Sequence, residues 1–306
     1  MRLVIDCNGL AYKSVYAMSE LSFKKNPTGV IYGFLEQIYL LAEKFNTNQF
    51  VFCWDSRRSY RKLDCKTYKN RKIDEDKTDI IKKAHEQFFE MRKNVLPQMG
   101  FRNVYHQTGY EADDLIAWCV ARFPDEYIIV SKDNDLLQLL SANKYAPVSI
   151  YNFSHIITAN DFTKKYGLEP YQWATVKSLA GCTSDTVQGI PGIGTETAVK
   201  YLNNVLKDGK AKQKIESEEG KRIMKETFNL VALPYAGDEQ INIKDPVNDE
   251  FYSLDFMDVF KEYGFNSFLI DEKFDKWRKV FQLNKGKDKI ARRPWRAKTI
   301  GMEKII

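Results

Sequence analysis

The stretch EYIIVSKDNDLLQLL, residues 126–140, decides the fold. Tyr127, Ile128, Ile129 and Val130 form a short aromatic and β-branched run, the composition of a strand buried on both faces. A polar break carrying Asp133 and Asp135 follows, and then leucines at helical spacing. The same grammar recurs in RLVID (2–6), QFVFCWD (49–55), FRNVYH (101–106) and, more weakly, VSIYNF (148–153). Helical patterns occupy 29–45, 79–97, 111–123 and 134–141 between them. Strand alternating with helix predicts an α/β fold, with a mostly parallel central sheet flanked by helices.

That topology says where chemistry belongs. In open α/β sheets ligands bind beyond the carboxyl ends of the strands. Asp6, Asp55 and Asp133 each end such a run. In YEADDLIA (110–117), Glu111, Asp113 and Asp114 open a helix. Capping and the helix dipole favour acids there, but three in four positions exceed what a cap needs. Glu111 and Asp114 are three apart and share a helix face, with Asp113 off that line but able to project forward. Asp135 and Asp185 bring the set to eight. Clustered carboxylates are costly unless a cation neutralises them. An all-oxygen set suits Mg²⁺, Mn²⁺ or Ca²⁺, and beside phosphate-binding groups it fits two-metal phosphodiester hydrolysis.

The formal charge of +6 is unevenly spread. Arg57, Arg58, Arg61, Lys62, Lys66, Lys69, Arg71 and Lys72 face a single acid, Asp64, within 57–72, and residues 285–298 hold seven basic residues against Asp288. Such clusters suit a polyphosphate partner. The polar segment 56–78 is long for a connection and predicts a flap above the sheet's edge. After residue 155 the pattern turns helical at 158–166, 170–180, 195–207 and 211–228, with a loop-rich connector at 232–250 and short helices at 254–264 and 271–282. No apolar run approaches the roughly 20 residues that span a bilayer, and the N-terminus does not read as a signal peptide. Five scattered cysteines without CxxC argue against a disulfide framework or structural zinc. A cytoplasmic protein, not associated with membrane, is expected. No Ser-His-Asp order, Walker A sequence or GxGxxG is present.

AGCTSDTVQGIPGIG (180–194) holds a compact glycine loop. Gly189, Gly192 and Gly194 allow tight turns and close backbone approach, and Thr195 can cap the helix that follows. Amides at a helix N-terminus bind phosphate without reading base sequence. Joining two helices, GIPGIG has the form of a helix–hairpin–helix DNA binder.

Together these pieces resemble the 5′-nuclease superfamily: flap endonucleases, phage RNase H-type 5′–3′ exonucleases and the 5′-nuclease domain of polymerase I. LVID, the WD followed by basic residues and YKNR, YEADDLIA, SKDNDLLQL and SDTVQGIPGIGTETAVK run in family order from residue 2 to about 205. The resemblance implies a PIN-like core at 1–155 with a helical arch at about 56–85. It also implies a helical DNA-binding region at 156–283, with its hairpin motif at about 175–206, and a basic tail at 284–306. It implies two Mg²⁺ or Mn²⁺ ions held by Asp6, Asp55, Glu111, Asp113, Asp114, Asp133, Asp135 and Asp185. Lys69 and Arg71 would act on the scissile phosphate. Tyr68 would stack on a base, and Arg57, Arg61, Lys66, Gly189, Gly192, Gly194, Thr195 and Lys200 would bind substrate. A K⁺ ion at the hairpin is a family feature. The expected activity is removal of RNA primers or 5′ flaps from branched or nicked duplex DNA in replication or repair. The protein is expected to be a monomer that meets a single-strand-binding or other replication protein, in a bacterial or phage-infected cytoplasm. With no polymerase after residue 306, it is expected to stand alone.

Two departures from the family pattern stand out. YKNR is one residue shorter than the usual YKxNR, which loosens the match of Arg71. Cys182 stands where the family commonly has an aspartate for the second metal. It reads as a tolerated small residue with water in the vacant place, as a thiolate favouring a softer ion, or as the mark of a degraded second site. The last would make the protein a weakly or non-catalytic binder of branched DNA. A PIN-type ribonuclease shares the acidic core, but it needs neither the hairpin nor the basic arch.

Overall fold

The computed structural model describes residues 1–18, 20–70, 78–235 and 240–284. Six strands form the central sheet: β1 (Arg2–Asp6), β2 (Phe50–Cys53), β3 (Val104–Tyr105), β4 (Tyr127–Val130), β5 (Val148–Tyr151) and β6 (Ile156–Ile157). Their order is β3-β2-β1-β4-β5-β6. All neighbours are parallel except β5 and β6. Leu3 pairs with both Phe50 and Ile128, so the runs expected from sequence lie side by side in the centre.

Alternation along each strand builds two cores on opposite faces. Leu3, Ile5, Phe50, Phe52, Ile128 and Val130 point one way, into helices Cys7–Ala17, Gly29–Phe45 and Thr78–Glu90. Val4, Val51, Cys53, Tyr127 and Ile129 point the other way, toward helices Ala112–Arg122, Trp173–Ala180 and Thr195–Leu202. Each fully buried side chain of this size contributes about 1.5–3 kcal/mol. The helices Ser253–Glu262 and Asp271–Phe281 return to the first face, where Phe256, Phe260, Trp277 and Phe281 join its aromatic core. The segment 156–283 is thus shared between the two faces.

The connector before those helices is anchored by Asp249. Its carboxylate accepts the amides of Phe50 (3.0 Å) and Arg102 (2.8 Å) at the amino ends of β2 and β3. Burial pushes Asp249 up to about 6, against those hydrogen bonds.

Local details depart from the sequence pattern for identifiable reasons. The helix expected at 79–97 contains a wide π-type turn at Met91–Val95, where the Leu96 amide reaches back to the Met91 carbonyl. Pro97 brings no donor and crowds the preceding turn, and the wider turn relieves it. The leucine segment Asn134–Ser141 winds as a 3₁₀ helix. The pattern at 211–228 splits at Ser217, which is extended and caps the second helix through the Gly220 amide. Gly194, not Thr195, takes the cap position of helix Thr195–Leu202, and no side-chain cap bond is made there.

Candidate metal centre and nucleic-acid interface

Asp6 does two jobs at the end of β1. One oxygen caps helix Cys7–Ala17 through the Gly9 amide (3.0 Å), and the other accepts the Ser131 hydroxyl (2.9 Å). The same Ser131 oxygen receives the Asp133 amide (3.0 Å), tying the ends of β1 and β4 together. Asp55 accepts the Ala112 amide (2.8 Å), which locks the end of β2 to the start of helix Ala112–Arg122. Asn8 braces Asp55 by accepting its backbone amide (3.2 Å).

The electrostatics show how these acids are placed. Burial, then the Asp6 charge, pushes Asp55 up to about 6. Burial, then Asp135, does the same to Asp133. Asp113 is pushed well above the usual range by burial and by Asp133, Asp6 and Asp55. Asp6 is raised by burial against its hydrogen bonds and Lys69. Four carboxyls at one sheet edge thus resist ionising together, the condition that a divalent cation relieves.

Asp113 and Asp114 take different places, although both were expected to hold metal. Asp113 faces the other acids, whereas Asp114 is wholly buried behind them. Both Asp114 oxygens are taken by Arg61, at 2.7 and 2.8 Å, and they also accept the Glu111 and Tyr235 amides. This geometry orients Asp114 as a strut and offers no oxygen to an ion. Arg61 departs from the substrate-binding expectation for the same reason. It is buried, and its guanidinium also donates to the carbonyls of Leu230 and Ala232.

Glu111 caps helix Ala112–Arg122 and meets the short segment Lys66–Asn70. Its Oε2 accepts the Tyr68 hydroxyl (3.0 Å) and lies 2.7 Å from Lys69 Nζ. Burial raises Glu111, but Lys69 and Arg61 outweigh it and hold the carboxyl below its usual value. Tyr68 is buried and orients Glu111, so its ring is not laid open for stacking on a base. Lys69 has a left-handed backbone (φ 47°), costly for a non-glycine residue, and its amide donates to the Asp185 carbonyl (2.8 Å). Burial disfavours its ammonium, while Glu111 and Asp185 more than offset that and keep it charged. Arg71 lies outside the described residues. Arg57, Lys66 and Lys200 are exposed, and Lys200 pairs with Glu196 at 2.7 Å.

Beyond helix Trp173–Ala180, Gly181–Cys182 pairs antiparallel with Val187–Gln188 in a tight hairpin that presents Cys182 and Asp185. A side chain on Gly189 would meet the Gly181 amide nitrogen at 2.3 Å, so only glycine lets the loop close onto the helix end. Ile190 and Ile193 are buried and fix the loop, while Gly192 and Gly194 lie open to solvent before helix Thr195–Leu202. Among the described residues, Asp135, Cys182 and Asp185 form the one trio of metal-ligating residue types whose ligand atoms all lie within 4.8 Å. Burial, then Asp135, pushes the Cys182 thiol up to about 11, so it is a neutral thiol near pH 7.

Sequence reasoning missed Ser131, Asn8 and Lys177 as members of this neighbourhood. Ser131 and Asn8 stand two residues from Asp133 and Asp6, the acids that close two of the apolar runs, a signal available in the sequence. Lys177 contacts Asp135 at 2.6 Å across a gap of 42 residues, which no local pattern announces.

A mostly parallel sheet with a repelling carboxylate cluster at its carboxyl edge, flanked by a charged lysine, is an arrangement able to hold a divalent cation beside a phosphoryl group. The chain belongs to the 5′–3′ exonuclease family: the family's N-terminal resolvase-like domain matches residues 1–167. A 5′–3′ exonuclease of Mycoplasmopsis pulmonis is 33% identical over 207 residues, covering 66% of each chain. One from Aquifex aeolicus is 30% identical over 240 residues, 75% of this chain and 80% of its own. DNA polymerase I of Mycobacterium leprae is 30% identical over 66% of this chain, which spans only 22% of that protein. In fold, the chain is similar to phage T5 5′-exonuclease with bound zinc (TM-score 0.60, 18% identity, 76% of this chain and 90% of that one). It is equally similar to a phage T5 flap endonuclease complexed with DNA and metal ions (TM-score 0.60, 18% identity, 76% and 89%). No helix among the described residues is long and apolar enough to cross a membrane.

Proposed function

We propose that this chain is a divalent-metal-dependent 5′–3′ exonuclease and structure-specific flap endonuclease that removes RNA primers or 5′ flaps from duplex DNA. The observation that carries this reading is the convergence of Asp6, Asp55, Asp113 and Asp133 at one sheet edge, with carboxyls raised by burial and mutual repulsion. Asp6, Asp55, Glu111 and Asp113 would hold one Mg²⁺ or Mn²⁺ ion, and Asp133, Asp135 and Asp185 the other. Bound there, the ions would supply a hydroxide nucleophile and charge neutralisation at the leaving oxygen. Lys69, fixed by Glu111 and by its own backbone bond, would hold the scissile phosphate and stabilise charge in the transition state. Arg71 would share that role.

The amides of the exposed Gly192 and Gly194, with Gly189, Thr195 and Lys200, would grip the duplex backbone, and backbone carbonyls of the loop would hold a K⁺ ion. Arg57 and Lys66 would track the 5′ strand. Tyr68 and Arg61 would act indirectly, by orienting Glu111 and Asp114. The protein would work as a monomer in a bacterial or phage-infected cytoplasm, and the basic tail would touch DNA or a replication partner.

Cys182 favours a second reading, a branched-DNA binder with little cleavage. A labelled 5′-flap duplex, incubated with Mg²⁺ or Mn²⁺ under single-turnover conditions, separates the two. The nuclease reading expects short 5′ products from wild type and none from Asp113→Asn. Tight flap binding without cleavage in either ion overturns it in favour of the binder.

A further inference from the structure

The second half of the acidic edge carries its own cation. Lys177, in the last turn of helix Trp173–Ala180, sets its ammonium 2.6 Å from Asp135 Oδ1. The two side chains are only 15% and 9% exposed, so this is not a solvated surface pair. The other oxygen of Asp135 is 3.3 Å from the Cys182 thiol, which stands also 2.9 Å from Ser184 Oγ and 3.7 Å from Asp185 Oδ2. One oxygen of Asp135 is therefore met by the thiol, while Oδ1 has the Lys177 ammonium beside it as an ion pair and no hydrogen-bond partner among the described residues. An ammonium nearly in contact with a carboxylate neutralises one charge of the set and repels an incoming cation at short range. The two features also belong together spatially, since Lys177 and Cys182 flank the same carboxylate from one helix end and the hairpin that follows it.

We propose that Lys177 is a resident counter-cation at Asp135, paired with the thiol of Cys182, which sets the second divalent ion at much weaker affinity than the first. The inference rests on the two-metal reading given above and deepens it. The cleavage step would then become dependent on millimolar free metal at the second position while the first stays filled. Lys177 does not touch the scissile phosphate in this account; it determines metal affinity and selectivity through Asp135.

The test is equilibrium binding of Mn²⁺, read as free ion by electron paramagnetic resonance, for wild type, Lys177→Met, Lys177→Arg and Cys182→Asp. Wild type should bind one ion tightly and a second at least about tenfold more weakly. Lys177→Met should tighten the second ion about tenfold or more. Lys177→Arg, which keeps the charge, should behave as wild type, and Cys182→Asp should tighten the second ion. Unchanged or weaker second-ion binding in folded Lys177→Met overturns the inference and leaves the nuclease reading standing. No Mn²⁺ bound by wild type overturns both. Thermal melts establish folding of each variant. If Lys177→Met does not fold, wild type decides by itself: two ions of equal affinity overturn the proposal.

Discussion

Replacing Arg61 by methionine tests whether it is a strut or a DNA contact. Its guanidinium makes two bonds to Asp114, at 2.7 and 2.8 Å, with the side chains 3% and 0% exposed. Two further bonds go to the Leu230 and Ala232 carbonyls, and the Tyr235 ring lies under the guanidinium. Methionine fills much of the volume but leaves Asp114 buried with its charge uncompensated. Removing one partner of such a pair costs about 3–5 kcal/mol. At roughly 2 °C per kcal/mol for a chain of this size, the melting temperature should fall by about 6–10 °C. Urea unfolding followed by circular dichroism measures the loss. Asp114→Leu combined with Arg61→Met should recover only part of it, because the apolar pair removes the buried charge but leaves the Glu111 and Tyr235 amides and the Leu230 and Ala232 carbonyls without these partners. The salt dependence of flap-DNA binding by the folded variant should keep the wild-type slope, since no phosphate contact is lost. A loss below about 1 kcal/mol, or a slope reduced by one phosphate contact, would refute the strut assignment.

Two further outcomes follow from the site. Lys69→Ala should lower single-turnover cleavage by about 10²–10³-fold, the usual cost of removing one transition-state charge donor. Retention of wild-type rates at saturating metal would remove Lys69 from the mechanism. The pH dependence of metal-free stability is the other. Asp55 has a folded value of about 6 against an ordinary value of 3.8, so the folded state holds that proton more tightly. Its contribution is fully present below about pH 4 and is lost as pH rises through about 6. In EDTA, wild type should therefore lose stability between about pH 4 and 6 more steeply than Asp55→Asn, and Mn²⁺ should restore it. Equal slopes for the two proteins would show that Asp55 is not held in the repelling cluster.

Much of this protein was legible because its grammar is local. A strand that ends in an acid and runs into a helix needs only a short window, and RLVID and EYIIVSKD each supply one. Alternation then decides which side chains enter which core, and chain connectivity makes the sheet parallel. The glycine loop was equally plain, because Gly189 answers a backbone approach set by its near neighbours. Directions within the site were not legible. Whether Asp113 or Asp114 faces the acids depends on where Arg61, 53 residues before Asp114, comes to rest. The family resemblance gave Tyr68 and Arg61 as substrate contacts, and nothing near them in the sequence shows another partner. In the fold their partners are Glu111 and Asp114. The C-terminal helices likewise carry an amphipathic pattern that says a face is buried but not against what, and only packing places Phe256 and Trp277 on the first face of the sheet.

The fold class, the sheet edge that carries the acids and the glycine loop are written locally, since they rest on periodicity and backbone sterics acting over a few residues. The tertiary structure alone decided which carboxylates stay mutually exposed, which are neutralised by Arg61, Lys69 or Lys177, and what surrounds Cys182. Charge pairing is set by distance in space, and distance in space between remote residues is fixed only when the layers close.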